Sequence, residues 1–159
     1  MFSSMSNGLR DEIKQTRPFA GPEQEAYLSL GRTWAVLEHA VSEALKPHGI
    51  TPTQYNVLRI LRGAGDTGLC RSEVMDRMIS RVPDATRLLD RMEAAGLITR
   101  ERSSEDRRFV TTRASEEGLR VLADLDDEIV ELHQRQFTSL DESGIRSLID
   151  LLGLVRKSG

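Results

Sequence analysis

Residues 82–98, VPDATRLLDRMEAAGLI, decide the fold. Pro83 carries the φ angle of a first helical residue and Asp84 complements the positive end of a helix dipole, so a helix is expected to begin at Pro83. Leu88, Leu89 and Met92 recur at helical spacing and mark its buried side, while Thr86, Arg87, Asp90 and Arg91 mark the polar one. Gly96 is suited to the left-handed residue that ends such a helix. Just upstream, Val74, Met75 and Met78 are the apolar set of a shorter helix that breaks at Ser80, Arg81 and Val82. Two helices joined by so short a turn form a helix-turn-helix.

Downstream, residues 97–102 and 108–113 hold the β-formers Ile98, Thr99, Phe109, Val110, Thr111 and Thr112 on either side of a polar run, which reads as a β-hairpin with a charged tip. Ser115 then caps a long helix with the stripe Leu119, Leu122, Leu125, Ile129 and Leu132, and Asp141 caps a last one bearing Ile145, Leu148, Ile149, Leu152 and Val155. Upstream, Thr51, Pro52 and Gln54 form a capping box with proline at the first helical position, ahead of Tyr55, Val57, Leu58 and Leu61. Before that, Tyr27, Leu30, Trp34, Leu37, Val41 and Ala44 step by three and four along a helix from Pro22, stopped by Pro47 and Gly49. Residues 1–21 read as an arm with at most one short helix around 9–14. The fold class is mainly α with a small β-hairpin. The terminal helices carry apolar stripes far in sequence from the central helix pair, and these are expected to meet each other and a second copy in a homodimer.

With 159 residues, 38% of them hydrophobic, the chain has material for one core. No apolar run approaches the roughly 18 residues of a membrane span, and no signal-like stretch opens the sequence, so a soluble cytoplasmic protein without a membrane partner is expected. A net charge of −3 taken alone argues mildly against a nucleic-acid partner. The average hides an asymmetry: residues 71–113 hold ten Arg against eight acids, and the rest holds 12 basic against 17 acidic residues. The basic charge is concentrated around the helix-turn-helix and hairpin.

Other chemistries find little support. Cys70 is the single cysteine and makes neither an intramolecular disulfide nor a cysteine zinc site. His39, His48 and His133 are scattered without a ligand cluster, so no metal is expected. No nucleophile, base and orienting group fall into a constellation, and no Gly-rich phosphate loop follows a strand. Neither catalytic residues nor a cofactor is expected, and the chain does not read as an enzyme.

Three stretches together carry a resemblance: TPTQYNVLRIL at 51–61, VPDATRLLDRMEAAGLI at 82–98, and SSEDRRFV at 103–110 with an Asp-x-Arg motif at Asp106 and Arg108. They resemble the MarR family of winged helix-turn-helix transcription regulators over nearly the whole chain. Where that family carries a Leu-Thr pair before the helix after the wing, this chain has Ala114 and Ser115, and Ser caps a helix as Thr does. The resemblance implies a homodimeric repressor on a pseudo-palindromic operator of double-stranded DNA, released by a small aromatic or phenolic effector. It implies an arm at 1–21, a dimerisation helix at 22–50, a winged helix-turn-helix lobe at 51–114 and C-terminal dimerisation helices at 115–159. The DNA-binding residues it implies are Arg81, Pro83, Asp84, Ala85, Thr86, Arg87 and Arg91 at the recognition helix and Asp106, Arg107 and Arg108 at the wing. Arg87 is the first choice for base readout, because an Arg fork matches the guanine edge, and Arg71 is a secondary phosphate contact. An effector pocket is implied at Trp34, His39 and Tyr55, although simple core packing is the favoured reading of Tyr55. Two alternatives remain: a winged-helix protein-interaction module without specific DNA binding, and a thiol-switched regulator using Cys70, for which a structural role is favoured.

Overall fold

Helices α1 (Gly8–Glu12) and α2 (Pro22–Leu45) come first in the computed structural model, which describes residues 8–102 and 110–158. There follow α3 (Pro52–Ala64), α4 (Arg71–Asp76), α5 (Ala85–Ala94), the strands β1 (Ile98–Arg102) and β2 (Val110–Ala114), α6 (Glu116–Gln136) and α7 (Glu142–Lys157). This is the mainly helical chain with a hairpin that the sequence predicts. It divides into two compact units between Ala40 and Val41. In the first unit, Arg32 on α2 lies 3.6 Å from Glu12 on α1. There α2 leaves Tyr27, Leu30, Trp34 and Val36 exposed.

The second unit is built on local signals that the sequence carries. The backbone N–H of Gln54 donates to Thr51 Oγ1 at 3.2 Å and Gln54 Oε1 accepts from the N–H of Thr51 at 2.9 Å, closing the capping box that starts α3. Helix α3 buries Tyr55, Val57, Leu58 and Leu61, and these meet Leu88, Leu89 and Met92 of α5 and Val121, Leu122, Leu125 and Ile129 of α6 in one core. Arg62 on α3 donates to both carboxylate oxygens of Asp126 on α6 at 3.0 and 2.8 Å, fixing the two helices in register.

Strands β1 and β2 pair antiparallel, with Ile98 opposite Ala114 and Arg102 opposite Val110. Leu69 adds a single bridge to the far edge of β2: its N–H donates to the Thr112 carbonyl at 3.0 Å and its carbonyl accepts from the Thr112 N–H at 2.8 Å. Gly68 makes that approach possible. It sits at φ +66°, and a Cβ there would lie 2.6 Å from Thr111 Cγ2 and 2.8 Å from the Thr112 carbonyl oxygen. Ser115 ties the start of α6 to the end of the helix-turn-helix, as its Oγ accepts from Gly118 N–H at 3.0 Å and donates to the Gly96 carbonyl at 2.5 Å. Helix α7, capped by Asp141 as expected, buries none of its residues and exposes Ile149, Leu151, Leu154 and Val155.

Two boundaries differ from the sequence reading. Helix α5 begins at Ala85, not Pro83, because Asp84 serves as the N-cap: its Oδ1 accepts the N–H of Arg87 at 2.9 Å while its own backbone stays non-helical at φ −127°. Helix α4 spans 6 residues and ends before the break expected at Ser80, with the chain from Arg77 already leaving the helix and Met78 beyond it. Ile79 then holds the turn to α3 by donating its N–H to Asn56 Oδ1 at 3.0 Å.

Candidate nucleic-acid interface

The polar side of α5 is the surface to account for. Its buried side is occupied by Leu88, Leu89 and Met92, so Thr86, Arg87, Asp90 and Arg91 are left exposed. The guanidinium groups of Arg81, Arg87 and Arg91 make no hydrogen bond or ion pair among the described residues. Charged groups left unpaired on a helix that follows a tight turn are available to phosphates and base edges. Pro83 and Asp84 precede the helix, and with Asp84 capping the N–H of Arg87, the free donors at its N-terminus belong to Ala85 and Thr86.

The neighbouring polar residues are committed to one another. Arg71, at the start of α4, donates through Nη1 to Thr86 Oγ1 at 2.8 Å, tying the first helix of the pair to the exposed face of the second. Arg100, on β1, donates through Nη2 to Asp90 Oδ1 at 2.6 Å and through Nε and Nη2 to Glu93 Oε2 at 2.9 and 2.5 Å. The Glu93 hydrogen bond holds the Arg100 guanidinium above its ordinary value, against the opposing effect of burial. Arg113, on β2, donates to the Asp66 carbonyl at 2.6 Å and to Glu101 Oε2 at 3.1 Å. Sequence reasoning missed Arg100 and Arg113 as members of this surface. The signal for Arg100 was present, since Asp90 and Glu93 stand three apart on one helical face and Gly96, at φ +74°, turns the chain back toward them.

Other expected site residues fall elsewhere. Asp106, Arg107 and Arg108 lie outside the described residues. Trp34 and His39 are exposed on α2 in the first unit, whereas Tyr55 belongs to the core of the second, with the Arg59 guanidinium 5.8 Å from its ring centroid. Burial pushes the Tyr55 hydroxyl above its ordinary value. Cys70 is half-buried just before α4, its Sγ 3.0 Å from Ser72 Oγ and its N–H donating to Glu73 Oε2 at 2.7 Å. Among the described residues no cluster of His, Cys, Asp and Glu is arranged to hold a metal, and no helix is long and apolar enough to cross a membrane.

Comparison with known proteins places these features in context. Residues 48–108 match the MarR family. Among curated proteins, the uncharacterized HTH-type transcriptional regulator YkoM of Bacillus subtilis is 29% identical over 143 residues, covering 84% of this chain and 88% of its own. Among solved structures, a MarR transcription factor from Planctomyces limnophilus is 35% identical, with a TM-score of 0.66, covering 86% of this chain and 99% of its own. The S. aureus MepR–DNA complex shares the fold at 21% identity and a TM-score of 0.75, covering 84% of this chain and 98% of that one. These relatives are transcription regulators, not enzymes.

Proposed function

The chain belongs to the MarR family of winged helix-turn-helix transcription regulators, and from that premise we propose that it is a homodimeric repressor reading a pseudo-palindromic operator in double-stranded DNA. The observation that carries this reading is the state of α5: Arg87 and Arg91 are exposed and unpaired among the described residues, while the acids Asp90 and Glu93 are held by Arg100. Helix α5 enters the major groove, with Arg87 on a guanine edge and Arg81, Pro83, Ala85, Thr86 and Arg91 along the backbone and neighbouring bases. Asp84 acts by holding the helix start. Arg107 or Arg108 serves the adjacent minor groove, whose negative potential attracts guanidinium, and Asp106, two residues before Arg108, orients it.

Two such helices reach successive major grooves only in a dimer, which the segments 22–50 and 115–159 supply. Support for this comes from α7, whose Leu151 and Leu154 are 60% and 62% exposed in the single chain. A small aromatic molecule releases the protein by binding the non-operator geometry better than the operator geometry.

The test is fluorescence anisotropy with a duplex from upstream of the protein's own gene and with a scrambled duplex, each over a salt series. Tight binding to the first, a log–log salt slope of several units, and a loss of about 1–3 kcal/mol in Arg87→Ala are expected. Equal weak binding to both, unchanged in Arg87→Ala, would favour a protein-interaction module instead.

A further inference from the structure

We propose that Arg100, a strand residue outside the reading helix, positions α5 and occupies its two carboxylates, and thereby sets operator specificity. The inference rests on the DNA-reading function proposed above. On α5, Asp90 lies three residues after Arg87 and next to Arg91, and a carboxylate at that spacing is the ordinary intrahelical partner for an arginine. Left alone, Asp90 would draw Arg87 into a pair along the helix and place a negative charge beside the phosphates. Arg100 removes that competition. Its fork takes Asp90 at 2.6 Å and Glu93 at 2.5 and 2.9 Å, with only 24% of its side chain exposed, and Arg87 stays unpaired among the described residues.

Position follows from the same contacts. Arg100 stands opposite Thr112 in the hairpin register, and Thr112 is buried and bonded in both directions to Leu69, immediately before Cys70 and α4. The guanidinium therefore joins α5 to the strand pair that also holds the segment leading into α4. A planar fork fixes direction as well as distance, which a lysine ammonium cannot do. The tilt of α5, and with it the base edges within reach of Arg87, is set from β1.

The experiment uses the full-length protein and the duplex that it selects from a random-sequence pool, with a scrambled duplex as reference. In Arg100→Met the ratio of operator to scrambled affinity falls about tenfold, within the range that one mismatched base pair costs. Adding Asp90→Asn and Glu93→Gln restores affinity for the scrambled duplex to about the wild-type level, because the exposed negative charge is gone, but leaves the ratio low, because the fork is still missing. Arg100→Lys keeps the charge and gives an intermediate ratio, and supplies the same readout if Arg100→Met melts too low to assay. A folded Arg100→Met with wild-type ratio and salt slope overturns the proposal, and full recovery of the ratio in the triple variant overturns the positioning role. A wild-type protein that selects no sequence refutes DNA reading itself, and this inference with it.

Discussion

Replacing Gly118 by alanine tests how tightly α6 is held against Leu58 of α3 and Leu97 before β1. A methyl at this position would overlap the carbonyl oxygen of Leu97 and lie 2.9 Å from Leu58 Cδ2 and 3.2 Å from the Leu97 carbonyl carbon. Two of these atoms are backbone, so the first turn of α6 must move away. The movement strains the hydrogen bonds that Ser115 makes, from its N–H to Leu97 at 3.1 Å and from its Oγ to Gly96 at 2.5 Å. Overpacking of a dense core costs about 1–3 kcal/mol and each lost hydrogen bond about 1 kcal/mol, against about 1 kcal/mol gained in helix propensity. The net expectation is a destabilisation of about 2–4 kcal/mol, which for a chain of this size lowers the melting temperature by about 5–15 °C. Gly63→Ala is the control, because nothing lies within 4 Å of its Cβ position and the same propensity gain applies without the clash. Thermal and urea unfolding of both variants read the difference directly. A Gly118→Ala protein that melts at or above the wild type would refute the reasoning.

Two further outcomes are expected. The Glu73 carboxyl is held below its ordinary value of 4.5, first by the backbone N–H of Cys70 and then by its side chain, so its contribution to stability is present above that value and is lost as pH falls through the lowered folded one; melting temperature should fall on acidification below about pH 4.5, less steeply in Glu73→Gln, and equal slopes would contradict the assignment. Replacing Leu151 and Leu154 together by Glu places charges on the exposed apolar face of α7 and should convert a dimer into monomers in sedimentation analysis, whereas an unchanged dimer would locate the interface elsewhere.

The elements were legible in the sequence wherever one residue type has one physical use. Thr51, Ser115 and Asp141 cap α3, α6 and α7 as their spacing predicts, because a side-chain oxygen beside free backbone donors has few alternatives. Pro83 was ambiguous for the opposite reason. Proline fits the first helical position, but an aspartate next to it is a better cap, and Asp84 takes the Arg87 N–H and delays the helix by two residues. The apolar stripes of α2 and α7 read from their period as faces that meet each other and a second copy, and Tyr27, Trp34, Ile149 and Val155 of those stripes stand exposed in the single chain. Periodicity says that a face is apolar and not what covers it.

The candidate interface was less legible, because pairing between elements depends on distances that spacing does not encode. Arg71, Arg87 and Arg100 look alike in the sequence; the fold commits Arg71 to Thr86 and Arg100 to Asp90 and Glu93, and leaves Arg87 without a described partner. The same sorting explains how a chain of net charge −3 can favour DNA. Asp90 and Glu93 are taken by Arg100 and Glu101 by Arg113, both strand residues, so these three acids are partly neutralised, while Arg81, Arg87 and Arg91 have no ion-pair partner among the described residues. At physiological ionic strength the Debye length is about 8 Å, which screens the distant excess of acids more than it weakens a guanidinium in contact with phosphate. For a protein that reads DNA through α5, as proposed above, random DNA then offers little at long range, and discrimination would rest on the geometry of that helix, whose Asp90 and Glu93 Arg100 holds.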